Sequence, residues 1–68
     1  MIRIHTRKHK NRPTYHGYVS VWHDGYRLYS LHADAERLTR DDARADAEQI
    51  RVDLLTINVN TDNDIRRV

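Results

Sequence analysis

The chain contains no cysteine and no phenylalanine, and only one proline, one tryptophan and two glycines. Without cysteine there is neither a disulfide staple nor a thiolate metal site. The same absence fits a reducing compartment, so the cytoplasm is the expected location. Gly17 and Gly25 are too few for a phosphate-cradling glycine loop. No apolar run approaches the roughly 18 residues of a membrane span, and Met1-Ile2-Arg3-Ile4-His5 lacks the apolar centre of a signal peptide. A soluble chain with no membrane association is expected. At 68 residues it forms one domain at most, and a domain of that size buries only about 60% of the surface its unfolded chain exposes. Oligomerisation, most simply a homodimer, or a binding partner is then the remaining source of stability.

Charge is divided unevenly. Residues 1–33 hold six Lys/Arg, all five histidines, Trp22, all four tyrosines and a single acid, Asp24, whereas residues 34–68 hold six Arg against nine acids. The formal +2 of the chain therefore joins a +5 half to a −3 half. Basic and aromatic side chains together suit a polyanion surface. Hydrophobic content is only 38%, but the apolar residues are periodic, which favours a folded domain over disorder.

Ile2, Ile4 and Thr6 alternate with Arg3, His5 and Arg7, the period of a half-buried strand with its basic residues on the open face. A basic loop, residues 8–13, follows, and Pro13 delays the next strand to about Thr14 or Tyr15. Asp24-Gly25 between residues 18–23 and 26–31 predicts a hairpin with a type I′ turn. A two-residue turn pairs His23 with Tyr26, Trp22 with Arg27, Val21 with Leu28, Ser20 with Tyr29, Val19 with Ser30 and Tyr18 with Leu31. One face then carries Val19, Val21, Tyr26 and Leu28 and forms the core with Ile2 and Ile4. The other carries Tyr18, Ser20, Trp22, Arg27, Tyr29 and Leu31, beside Arg3, His5 and Arg7.

Thr39 is a good N-cap with Asp42 three residues on, and Leu38 and Ala43 have the spacing of a hydrophobic staple. A helix is predicted from Arg40 to about Leu55 or Thr56, with Ala43, Ala47, Ile50 and Leu54 on one face, and Asp41–Arg44 and Glu48–Arg51 as pairs on the solvated side. The expected fold is α+β, a three-stranded antiparallel sheet packed against one C-terminal helix over residues 1–56. Residues 57–68 are expected as a short irregular tail, mobile or forming an edge strand through Ile57 and Val59, with turn chemistry in the Asn/Asp cluster behind.

The candidate nucleic-acid-binding residues are Arg3, His5, Arg7, Lys8, Lys10, Arg12, Trp22, Arg27 and Tyr29. Arg offers planar donors to phosphate or guanine edges, Lys offers point charges, and the two aromatic rings offer stacking surfaces. The plainer account makes Trp22 and Tyr29 part of the core, with Arg27 lying over Trp22. Among the histidines, His5 and His9 are four apart on strand and loop, and His16 and His23 fall on opposite sides of a regular strand, so no metal site is expected. They are read as surface hydrogen-bonders that add positive charge in mild acid. No catalytic residues are proposed: Asp41 and Asp42 sit where capping places acids, and Ser20 and Ser30 have histidines nearby only in sequence. Asp62-Asn63-Asp64 offers calcium-type oxygens without the remaining loop ligands. No cofactor is implied.

The order strand, strand, Asp-Gly turn, strand, then Leu38-Thr39-Arg40-Asp41-Asp42-Ala43-Arg44-Ala45 at a helix start resembles the β-β-β-α module of AP2-like domains. It is most similar to the arm-type DNA-binding domain at the N-terminus of tyrosine integrases, over about residues 2–55. The resemblance implies a sheet that enters the major groove with the helix behind it, and sheet contacts at Arg3, Arg7, Trp22, Arg27 and Tyr29. Two departures are the lack of a catalytic domain after the helix and the helix's acidity. The resulting expectation is a non-enzymatic, weakly sequence-specific nucleic-acid-binding module, with duplex DNA the favoured partner. The alternative is a phage-type protein-binding inhibitor or adaptor, for example anti-CRISPR-like, that docks through the acidic helix face. A structural subunit is a third reading.

Overall fold

A computed structural model describes the backbone of residues 1–67 and the side chains of residues 1–57. Strands β1 (Ile2–Lys8), β2 (Tyr15–His23) and β3 (Tyr26–His32) form an antiparallel sheet in the order β1-β2-β3, followed by the helix α1 (Arg40–Arg67). This is the expected α+β architecture. Asp24 and Gly25 both take positive φ, 51° and 82°, as a type I′ turn requires.

The hairpin register departs from the simple count. His23 pairs with Tyr26 and Trp22 with Arg27, but Val21 then pairs with Tyr29, leaving Leu28 as the extra residue of a β-bulge. Every later pair moves by one: Ser20 faces Ser30, Val19 faces Leu31 and Tyr18 faces His32. Because side chains alternate, the bulge exchanges the faces of Tyr29 to His32. Tyr29 and Leu31 turn to the helix side, and Ser30 and His32 to the open side. The bulge thus removes Leu31 from a polar face. Leu28, the bulged residue, and Tyr26, next to the turn, both expected in the core, are 60% and 75% exposed.

Helix α1 packs across β2 and β1. Ala43 and Ala47 are fully buried, as is Val19, and Gly17 is buried beside them. Helix and sheet approach so closely that a Cβ on Gly17 would overlap the Ala43 carbonyl oxygen and lie 2.9 Å from the Ala47 nitrogen. Small residues on both elements permit this crossing, and Gly17 is required there for lack of a side chain.

The helix begins at Arg40 as predicted, with the Asp42 amide donating to Thr39 Oγ1 at 3.2 Å. Leu38 does not form the staple with Ala43: it is 77% exposed, because Ala43 is already covered by Gly17. Arg37 does the fastening instead, exchanging backbone hydrogen bonds with Tyr15 at 2.7 Å and making a bidentate pair with Asp46 at 2.7 and 3.0 Å. That guanidinium holds the Asp46 carboxyl below its ordinary range. Glu48 and Arg51 pair at 3.1 Å.

The helix runs past its predicted end, through Arg67, in place of a tail or edge strand. With no Gly or Pro in this stretch, β-branched and Asn residues lower helix propensity by only fractions of a kcal/mol each, about 0.7 at most, and do not terminate it. The calcium-type oxygens of Asp62, Asn63 and Asp64 lie outside the described side chains.

Candidate nucleic-acid interface

Because Gly17 and Val19 face α1, alternation along β2 places His16, Tyr18, Ser20 and Trp22 on the side away from the helix. Cross-strand pairing adds Arg3, His5 and Arg7 from β1, opposite Ser20, Tyr18 and His16. From β3 it adds Arg27, Ser30 and His32, opposite Trp22, Ser20 and Tyr18. At the usual rise per residue the row from His16 to Trp22 is about 20 Å long.

Its centre is a stack of rings across all three strands. His5 and Tyr18 lie 4.7 Å apart at 16°, and Tyr18 and His32 4.7 Å apart at 15°. Below them Ser20, 2% exposed, accepts the Trp22 indole N–H at 2.7 Å and meets His5 Nε2 at 2.8 Å. Ser20 and His5 have the separation of a nucleophile and base. Burial of the serine and the indole bound to the same oxygen make it a structural tie instead. The Arg3 guanidinium lies 5.0 Å from the Trp22 ring centroid, covering one face of the indole.

Toward the β1–β2 loop the rings continue as a hydrogen-bonded chain. His9 Nε2 meets His16 Nδ1 at 2.8 Å, and His16 Nε2 meets His32 Nδ1 at 2.9 Å. The outer His9 nitrogen, Nδ1, lies 2.8 Å from Thr14 Oγ1 and 3.7 Å from Glu36 Oε1. The loop is closed by the His9 amide donating to the Thr14 carbonyl at 3.0 Å. The His16 pKa is lowered from its ordinary value, first by burial and then by His32, His9 and Arg7, against a smaller opposing effect of Glu36.

Above this chain the loop borders a shallow, open basic concavity of about 490 Å³, lined by Arg7, Lys8, Lys10 and Arg12 together with His9 and His16. Arg12 is tethered to Glu36 at 2.8 Å.

Of the residues singled out from sequence, Arg3, His5, Arg7, Trp22 and Arg27 share the open face, and Lys8, Lys10 and Arg12 gather at its loop end. Tyr29 does not belong with them: the bulge places it opposite Val21 on the helix side. His9, His16, Tyr18 and His32 were not singled out. His32 reaches the open face only through the bulge, and His9 reaches His16 only through the loop's fold, so neither pairing shows as a sequence spacing. Among the described residues no group of three His, Cys, Asp or Glu could hold a metal ion. The ring nitrogens of the chain face one another at hydrogen-bond distance, not a common point. Among the described residues, no helix is long and apolar enough to cross a membrane.

Compared with known proteins, the chain matches no family model, no curated protein and no solved structure.

Proposed function

We propose that the protein is a small nucleic-acid-binding module that uses the open sheet face and the β1–β2 loop, without catalysis. The observation that carries this reading is segregation. Arg3, Arg7, Lys8, Lys10, Arg12 and Arg27 lie on or beside one face of the sheet, among stacked rings. The acids Asp41, Asp42, Glu48 and Asp53 belong to the helix on the other side. Among the described residues, Glu36 is paired with Arg12 at 2.8 Å beside the loop, and Asp24 lies 3.3 Å from His23 at the turn. A three-stranded ribbon is about 10 Å wide between its outer strands, and a B-form major groove is about 12 Å wide. Duplex DNA is therefore the favoured ligand, in the manner the AP2-like resemblance implies.

The test is binding to a short duplex by fluorescence anisotropy between about 50 and 200 mM salt. With four cations engaged, log K should fall against log salt with a slope of roughly −4. Absence of salt-sensitive binding to either duplex DNA or RNA sinks the proposal.

One observation favours a second reading, a protein-binding adaptor. The edge strand β3 exposes Tyr26, Leu28, Tyr29 and Leu31, at 75%, 60%, 47% and 40%. That surface, more than the acidic helix face, suits a protein partner. A stoichiometric complex that survives nuclease treatment would establish it.

A further inference from the structure

The chain of three imidazoles can be counted proton by proton. Three neutral rings carry three ring protons. Each of the two N···N contacts, His9–His16 at 2.8 Å and His16–His32 at 2.9 Å, needs one proton between its nitrogens and has no room for two. The third proton then sits at one end, on His9 Nδ1 toward Thr14 Oγ1 or on His32 Nε2. A fourth occupies the other end, and the chain then carries one positive charge with both contacts intact. A fifth would set two N–H groups against each other and break a contact. The intact chain therefore takes up one proton and no more.

Cationic surroundings oppose that charge in the protein by itself. Arg7 from β1 stands beside His16, Lys8, Lys10 and Arg12 from the loop surround the concavity, and Tyr18 of β2 and His32 of β3 complete the ring surface. Glu36, the nearest acid, is shared with Arg12. A phosphodiester seated among these cations would bring the missing negative charge to within reach of His9 and His16.

We propose that the β1–β2 loop concavity is a phosphate seat of the interface, and that filling it draws one proton onto the His9–His16–His32 chain. This rests on the sheet face being a nucleic-acid surface, and it adds the location of a backbone phosphate and a dependence on pH. The lowered His16 pKa in the free protein leaves the proton to be taken up on binding. Affinity then rises on acidification by up to about tenfold per pH unit.

The experiment is titration calorimetry of the full chain with a short duplex, and with a single strand of equal length, near neutral pH in two buffers of different ionisation heat. The phosphodiester backbone itself does not titrate there, so the buffer dependence reports protons taken up by the protein. Uptake approaching one proton supports the proposal. A changed uptake in His16→Gln, which removes both contacts, with retention in His23→Gln, assigns it to the chain. His32→Gln leaves the His9–His16 contact, which by the same count still takes one proton. Circular dichroism of each variant shows that the sheet is formed. Uptake with both ligands marks backbone phosphate as the shared element, and uptake with the duplex alone restricts the seat to duplex geometry. Salt-dependent binding with no proton uptake, with two protons, or with uptake unchanged in His16→Gln overturns the proposal and leaves the nucleic-acid reading standing. No binding between about pH 5.5 and 8, where histidine titrates, overturns both.

Discussion

The two faces of β2 are built on opposite principles. Toward the helix, Gly17 and Val19 meet Ala43 and Ala47 in a dry contact of small groups. On the other side, the large rings of His16, Tyr18 and Trp22 cover the small, buried Ser20 and are held by ring stacking and hydrogen bonds, with partners on both neighbouring strands. In a chain this short the core is thin, so the open face must be organised by its own side chains. Such a surface is fixed before any ligand arrives, which lowers the ordering cost of binding. One strand therefore carries cohesion on its odd positions and the proposed recognition surface on its even ones.

The largest expected effect breaks the cohesive face. Gly17→Ala places a methyl group against the helix backbone, which cannot rotate away. The cost should be at least about 3 kcal/mol, against a total stability of roughly 3–10 kcal/mol for a chain of this length. Thermal unfolding followed by circular dichroism should show little or no cooperative transition. A melting temperature within a few degrees of the parent would mean that helix and sheet are not in this contact.

On the recognition face, Lys8→Ala with Lys10→Ala should reduce the salt slope of nucleic-acid binding by about 2 without altering the melting temperature. An unchanged slope would remove the loop from the interface. A smaller effect on cohesion is expected at the helix start. Thr39→Ala removes the acceptor of the Asp42 amide, costing about 1 kcal/mol and lowering the melting temperature by roughly 4–8 °C, with nucleic-acid affinity unchanged. Loss of affinity in proportion to stability would argue against separate roles for the two faces.

Much of this division was legible in the residues. The alternation of Ile2 to Arg7, the Asp24-Gly25 turn and Thr39 before an Ala/Ile/Leu face each had a local physical cause, and each element formed where that cause placed it. Two things were not local. The helix end depended on the absence of a breaker, and Asn58 and Asn60 are weak stop signals. The bulge depended on which face Leu31 and His32 would take, since a regular register buries His32 and exposes Leu31 on the polar side. Deletion of Leu28 sharpens the point: it regularises the hairpin while keeping Val21 with Tyr29 and Val19 with Leu31. The variant should stay within about 1 kcal/mol of the parent. Nuclear Overhauser contacts between Val19 and Leu31 should persist, and their loss would show that the bulge does not set the register.

The smallest effect concerns pH, and its sign separates the recognition face from the cohesive one. His16 has a lowered pKa in the folded chain, chiefly through burial. The unfolded chain therefore binds more protons than the native one as the pH passes below the ordinary histidine range of about 6.5. Stability from this group is fully present above that value and is lost as the pH falls through the lowered native pKa. Asp46 follows the same direction, but its loss begins only below the ordinary carboxylate value of 3.8. Between about pH 7.5 and 5.5 the melting temperature should thus decline slightly, and His16→Gln should flatten the decline. A rise in stability on acidification would mean that the native histidine chain welcomes its proton without a ligand, and that the open face is not held in check by Arg7 and its own burial.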